Sequence, residues 1–411
     1  MDPAKKTVLI LSLVVFFVML GIAMITPDIA QYGKALGADP LFAGILVGAL
    51  PAARVVLDMP AGALGDRFGN SRMMKYGLAI IVVSSLGAFV AFSYWMLLAV
   101  RFLEGVGSAF YVTSSLAALA KAAPAEKRGR YMGVYVNSLL LGQIFGPVVG
   151  GAVTVYGGLA APFAAYAVCA AVGLVLVSAL LRLPEGDAES RFDWVATKRL
   201  VRDRSFLVVT LGVLAAFFAR GGVITTVLPF FAQLNWGLEP KDAVATTGLL
   251  ITVMAGSSLL TMYPSGLLAD RHGRKWTFVG SLVLMAVALP FIYTTSDLVS
   301  AIPVMVAVGL IFGLTGPMAS WATDLAPPNA MGMAMGVYRT IGDLGFLLGP
   351  LVMGAVLQVT LVGGRVSQTP FLVASSWLLV TGLLLLTARD PSGERARARA
   401  RGLAVDPPRL G

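Results

Sequence analysis

Gly133–Gly151 reads GVYVNSLLLGQIFGPVVGG, and the reading of this stretch decides the fold. It is apolar enough to cross a bilayer, yet it holds Gly133, Gly142, Gly146, Gly150 and Gly151. Gly142, Gly146 and Gly150 recur every fourth residue, which places them on one face of a helix. In lipid such a face of small residues lets a second helix backbone come close. Pro147 removes a backbone N–H and strands the carbonyl of Gln143, so a bend is expected there. A helix in water loses stability with this composition, whereas one packed among neighbours in a membrane tolerates it. The stretch also recurs. Gly336–Gly354 reads GVYRTIGDLGFLLGPLVMG, and Gly336, Gly349 and Pro350 stand 203 positions after Gly133, Gly146 and Pro147. The chain is two copies of one unit.

Of its 411 residues, 57% are hydrophobic and only 13% charged. Soluble domains carry about 25% charged residues, and here apolar runs of about 20 residues, the length that spans a bilayer, follow one another. The fold class expected is an all-α integral membrane protein lying in a lipid bilayer. One cysteine, Cys169, and one histidine, His272, leave no disulfide framework and no thiolate or imidazole metal site, so no metal is expected. No phosphate-binding loop or nucleophile–base set is visible. Neither an enzyme nor an ATP-driven pump is expected, and no cofactor. The net charge of +10 lies in loops and tails rather than on one folded face, which argues against nucleic acid as a partner. The first apolar run, from Thr7, is too long for a signal-peptide core and is read as an uncleaved span.

Twelve spans fit, at 7–32, 40–64, 73–92, 94–121, 130–155, 160–183, 205–234, 241–268, 274–295, 298–325, 331–361 and 369–388. They form two pseudo-symmetric six-helix bundles, 1–183 and 205–388, joined by a polar linker, 184–204, and followed by a basic tail, 389–411. A short surface helix from Phe192 is expected in the linker. One set of loops and both ends carry most of the Lys and Arg, whereas the opposite loops hold only Lys34, Lys241 and Arg365. Such an excess marks the cytoplasmic side, so both termini are expected in the cytoplasm. Pro27 and Gln31 echo Pro229 and Gln233, and Asp66 echoes Asp270.

The order G-x8-G-x3-G-P-x2-G-G at 133–151 resembles the fifth-helix motif of the major facilitator superfamily, in the form typical of its twelve-span drug:proton antiporters. Gly62-x3-Asp66-Arg67-x-Gly69 and Gly266-x3-Asp270-Arg271-x-Gly273 resemble the same superfamily's loop signature, which the resemblance implies is a conformational latch. Glycine permits a tight turn there, and the carboxylate can sit at the free N–H groups of a helix start. Asp66 is expected near Asn329 and Asp270 near Glu126. The first copy departs from the pattern at Ser71, where a basic residue is usual. So does the end of span 4, where Lys121 stands opposite Asp324 of the other copy.

Charges inside spans are costly and normally face a cavity or each other. The cations are Arg54, Arg101, Arg220 and Arg339, and the anions Asp28, Asp58, Glu104 and Asp343. Arg54 and Asp58, Arg101 and Glu104, and Arg339 and Asp343 stand three or four residues apart, so each pair can meet on its own helix. Arg220 and Asp28 have no local partner. At 1.5 Å per residue, Glu104, Asp343 and Arg220 lie roughly 15, 18 and 22 Å into their spans, near mid-membrane. Asp58, close to Pro60, is read as support for the latch. Arg101-Phe-Leu-Glu104-Gly105-Val-Gly107 resembles the fourth-span motif of the proton antiporters, in which the arginine is linked to proton transfer; Glu104 stands where Gln is usual. Burial disfavours an ionised carboxylate and a neighbouring cation favours it, so this pair can be tuned to load and release a proton. A permanent structural ion pair is the competing reading.

The expected function is secondary active transport by alternating access, proton-coupled export of small, largely apolar molecules, with the proton gradient as energy source. Glu104 with Arg101, then Asp343 with Arg339, are the proton-coupling candidates. Arg220, Asp28, Asn137, Tyr111 and Gln233 are the candidate substrate contacts. Gly142, Gly146, Pro147, Gly150, Gly349 and Pro350 are the helix-bend set. A monomer is expected. The alternatives are an organic-anion or sugar-type symporter or exchanger, suggested by Arg220, and, last, a membrane receptor.

Overall fold

The computed structural model describes residues 3–122, 128–181, 200, 202–326 and 331–394. Among them, eleven helices are long and apolar enough to cross a membrane, and Thr369–Leu385 is a shorter apolar helix. A bilayer offers no water to a backbone N–H or C=O, so chains this apolar satisfy them within helices. The spans are 1 (Pro3–Ile25, continued by Ile29–Ala35), 2 (Pro40–Phe68), 3 (Asn70–Phe89), 4 (Tyr94–Ala122), 5 (Arg128–Gly157) and 6 (Ala161–Leu180). Then follow 7 (Arg204–Asn235), 8 (Pro240–His272), 9 (Arg274–Ala288, extended by Leu289–Thr294), 10 (Leu298–Gly313 and Met318–Asp324), 11 (Met331–Thr360) and 12 (Thr369–Leu385).

Four spans are less regular than expected, and proline sits at three of them, span 9 included, where Leu289–Thr294 around Pro290 is a 3-10 helix. Span 1 stops at Ile25 and restarts at Ile29, because Pro27 has no N–H to donate and disfavours helix at Thr26. Span 10 is interrupted between Gly313 and Met318, around Gly316-Pro317. Span 7 widens into a π-helix over Arg220–Val227. The surface helix expected from Phe192 lies outside the described residues.

Two apolar cores result. One is built from spans 1–6, around Leu11, Met74, Tyr111, Phe163 and Tyr166. The other is built largely from spans 7–12, around Phe206, Phe230, Phe278, Trp321 and Phe371. Within the first, the glycine face of span 5 lies against span 1. A Cβ on Gly142 would stand 2.6 Å from the Phe16 carbonyl oxygen, and one on Gly146 2.8 Å from that of Leu20. The second repeats the arrangement, with Gly345 and Gly349 of span 11 against Leu214 and Gly222 of span 7. Pro147 and Pro350 both lie inside their helices.

The halves meet along two antiparallel seams. Span 2 packs on span 11, where Gly48 faces the Leu347 carbonyl and Gly354 faces Pro40 and Gly44. Span 5 packs on span 8, where Gly151 faces Ala245 and Gly248 faces the Pro147 carbonyl. At the same end, Gln31 donates to the Pro229 carbonyl at 2.9 Å and Lys34 to Gln233 at 2.8 Å. This end, remote from the loop signatures, is closed.

Candidate functional site

Between the halves lies a cavity of about 220 Å³. Its wall is mostly apolar, with Met19, Leu50, Phe217, Ile251 and Phe346, and carries Thr26, Gln143 and Thr225 as polar neutral groups. Four charged side chains reach it, namely Arg54, Arg101, Arg220 and Asp343. Spans 1, 2, 4, 5, 7, 8 and 11 all contribute, so any relative movement of the halves reshapes it.

Arg101 and Glu104 meet as their spacing predicts, Nη1 to Oε2 at 2.7 Å. Glu104 is fully buried behind Arg101, whose guanidinium also lies 5.9 Å from the Phe163 ring centre. Glu104 therefore communicates with the cavity through Arg101.

The other two pairs are not the local ones. Arg54 pairs with Asp343 at 3.1 Å, and Arg339 with Asp58 at 3.1 Å. Both bridges cross from span 2 to span 11. The i,i+4 pairings Arg54–Asp58 and Arg339–Asp343 are thus corrected. The reason is register. Small residues at Gly44, Gly48 and Gly354 let the two spans run side by side, which brings each arginine level with the carboxylate of the other half. Asp58, expected to support the latch, instead tethers the halves.

Arg220 opens the π-helical turn, a local widening that recurs at functional sites. Gly221 and Gly222 follow it, and the Thr225 and Thr226 hydroxyls both donate to the Gly221 carbonyl. Its guanidinium lies 4.9 Å from the centre of Phe312 and 5.9 Å from that of Phe346. Among the described residues no carboxylate pairs with it. Phe312 and Phe346 were not singled out in the sequence, where they read as ordinary apolar residues.

The remaining candidates lie off the cavity wall. Asp28 is fully buried near the closed end, receiving the Thr154 hydroxyl at 3.4 Å. Tyr111 is buried in the core of the first half. Asn137 is exposed, and Gln233 accepts from Lys34 at the closed end.

In the loop signatures only the last glycine of each copy makes the turn. Gly69 and Gly273 have φ of 91° and 96°, a region closed to most side chains, whereas Gly62 and Gly266 lie inside helices. Arg67, Asp270 and Arg271 are exposed. The partners expected for the two aspartates, Asn329 and Glu126, and the Asp66 side chain lie outside the described residues. At the start of span 9 the carboxylate is supplied by Asp390, which accepts the Lys275 N–H at 3.1 Å, while Arg274 pairs with Asp324 at 3.0 Å. The segment read as a basic tail from 389 begins docked, with the Arg389 carbonyl accepting from the Trp321 indole at 2.9 Å.

The profile of the Major Facilitator Superfamily matches residues 11–350 and 241–408. Multidrug resistance protein 2 of Bacillus subtilis is 27% identical over 397 residues, covering 92% of this chain and 94% of its own. Quinolone resistance protein NorA of Staphylococcus aureus is 22% identical, covering 86% of this chain and 91% of its own. Among solved structures, the nucleoside transporter NupG superposes with a TM-score of 0.76 at 14% identity, covering 94% of this chain and 98% of its own.

Proposed function

Because the chain belongs to the major facilitator superfamily, and is thus a multi-pass membrane transporter and no enzyme, we propose that it is a proton-coupled exporter of small, largely apolar molecules. Alternating access would come from the two seams opening in turn. Glu104 is the proton carrier in this reading and Arg101 its gate to the cavity. Both termini face the cytoplasm, and inward proton flow drives cargo out.

The observation that carries this reading is the Arg101–Glu104 pair, 2.7 Å apart, with the arginine on the cavity wall and the acid fully buried behind it. A cargo or a movement that draws Arg101 away leaves Glu104 buried without its cation, and burial then favours uptake of a proton. The relatives named for multidrug and quinolone resistance support export as the direction. The sugar-type alternative has no such support in the cavity, whose wall is largely apolar.

The test is transport in proteoliposomes under an imposed pH gradient, using a panel of cationic, neutral and anionic aromatic dyes. Wild-type protein moves at least one dye uphill, and Glu104→Gln abolishes uphill movement while remaining folded. Uphill transport by Glu104→Gln at the wild-type rate removes Glu104 from the mechanism.

A further inference from the structure

The charges around the cavity do not balance. Each acid there already has its cation, Glu104 from Arg101 at 2.7 Å and Asp343 from Arg54 at 3.1 Å. Arg220 reaches the same space with no carboxylate of its own among the described residues. It has two aromatic faces instead, Phe312 at 4.9 Å and Phe346 at 5.9 Å. Ring faces attract a cation and hold it in place. They offer no acceptor for the planar fork of N–H groups, however, and that fork is shaped for a carboxylate, sulfonate or phosphate. The surplus at the cavity is therefore one positive charge in a low-dielectric, mostly apolar space, where an ion is felt strongly. A cationic cargo would meet that charge as repulsion. A neutral cargo would leave it unsatisfied.

We propose that the cavity is a binding site for amphipathic organic anions, with the anionic group on Arg220 and the apolar body between Phe217, Phe346 and Ile251. The π-helical turn serves this geometry. It starts at Arg220, and Gly221 and Gly222 pack closely on span 11, Gly221 3.3 Å from the Phe346 Cα and Gly222 3.1 Å from the Gly349 carbonyl carbon, each measured from an added Cβ. Arg220 is thereby anchored on span 7 beside the Phe346 ring of span 11, so cargo that binds one meets the other. Gln143 on the same wall can supply a further donor to an anion's second oxygen. The assignment rests on the transport reading for its purpose, but not on proton coupling.

The experiment uses three probes of one size, naphthalene-2-sulfonate, naphthalene-2-sulfonamide and 2-naphthylmethylamine, with the full chain in nanodiscs and no gradient. Equilibrium dialysis gives the bound fraction of each. A charge-assisted fork is expected to favour the sulfonate by about tenfold or more over the sulfonamide and the amine. Arg220→Gln brings the sulfonate down to the level of the sulfonamide, and Arg220→Lys, which keeps the charge without the fork, falls between. Inorganic sulfate at matched concentration does not displace the naphthalene probe, because it lacks the apolar body. The proposal is overturned if the wild type binds the amine or the sulfonamide as well as the sulfonate, or does not bind the sulfonate at all. It is equally overturned if Arg220→Gln keeps the preference, or if sulfate displaces the probe. The wild-type comparison stands alone should a variant fail to fold. Flux of the sulfonate with and without an imposed pH gradient, measured separately in proteoliposomes, reports on proton coupling, so the two readings fail by different results.

Discussion

The crossed ion pairs give a test that exploits their geometry. Arg54 and Asp58 share a face of span 2, and Arg339 and Asp343 share one of span 11, so the same four side chains have two complete pairings. Across the seam they pair as Arg54–Asp343 and Asp58–Arg339, both at 3.1 Å. Within each helix they pair at i,i+4. When the seam opens, the second pairing can replace the first and no charge is stranded. Arg54→Asp with Asp343→Arg keeps both crossed pairs attractive but places two acids on span 2 and two bases on span 11. Arg54→Asp with Asp58→Arg does the reverse, keeping the helical pairs and making both crossed contacts repulsive. The side chains are 8–27% exposed, between a surface pair worth up to about 1 kcal/mol and a buried one whose breaking costs about 3 or more. At about 1.5 kcal/mol for each of the two crossed pairs, their loss shifts the equilibrium by about 3 kcal/mol, or more than about a hundredfold, before any repulsion is counted. Spin labels on Phe68 and Met335, both exposed at the ends of spans 2 and 11, in a background with Cys169→Ser, report the separation by pulsed electron resonance. The first swap narrows the distance distribution to the short distance of the joined seam. The second moves it to the long one. Identical distributions for both swaps and the wild type refute the exchange of partners.

The glycine seams predict a contrast between positions. Gly146→Val and Gly349→Val place a side chain 2.8–2.9 Å from a backbone atom of the neighbouring span and are expected to cost about 1–3 kcal/mol or more, whereas Gly133→Ala and Gly336→Ala meet nothing within 4 Å and leave thermal stability unchanged or raised; equal melting shifts for both sets contradict the packing argument. Asp390→Ala removes the acceptor of the Lys275 and Gly393 N–H groups, a helix-start loss of about 1 kcal/mol, and proteolysis between spans 12 and the tail should accelerate. Asp297, at the start of span 10, accepts the Ser300 N–H at 2.8 Å, and that hydrogen bond holds its carboxyl below the ordinary 3.8. Its contribution is complete above pH 3.8 and lost as pH falls through the lower folded value, so Asp297→Asn should lower the melting temperature slightly at neutral pH and flatten the acid end of the profile.

The fold was legible because its signals are local. Length and apolarity of each run announce a span, and glycine spacing announces which faces pack, as Gly142 and Gly146 on span 1 bear out. Arg101–Glu104 was legible for the same reason, since i,i+3 geometry is set by one helix. The breaks at Pro27 and at Gly316-Pro317 were written in the sequence but smoothed over by reading each apolar run as one helix. The crossed pairs were not legible. Helical spacing satisfied Arg54 and Arg339 equally well, and the choice between partners depends on the register of two spans almost 300 residues apart. The aromatic frame of Arg220 was hidden likewise, because Phe312 and Phe346 sit in ordinary apolar runs of two other spans.

The duplication separates scaffold from speciality. The glycine and proline contacts occur in both copies, but the charges around the cavity do not. Arg220 corresponds by repeat to Val18, Arg101 to Val304, Glu104 to Ala307, Arg339 to Val136 and Asp343 to Leu140. The two seams between the halves differ in consequence. Spans 2 and 11 are joined by two ion pairs. Spans 5 and 8, their counterparts, are joined by the Thr252 hydroxyl, which donates to the Ile144 carbonyl at 3.0 Å and accepts the Val148 N–H at 3.1 Å. A hydroxyl on a short stem holds these two backbone groups only while the spans touch, and has no charged partner on its own helix to move to. Charged side chains on long stems have one. A movement that opens the cavity therefore has less to lose along the charged seam, where pairs can be re-formed within each helix, than along the neutral one, where Thr252 must give up both bonds. By this asymmetry the span 2–span 11 seam, on which Asp343 meets the cavity, is expected to open more readily than the span 5–span 8 seam. Spin-label distances across each seam that respond equally to the ion-pair swaps would contradict it.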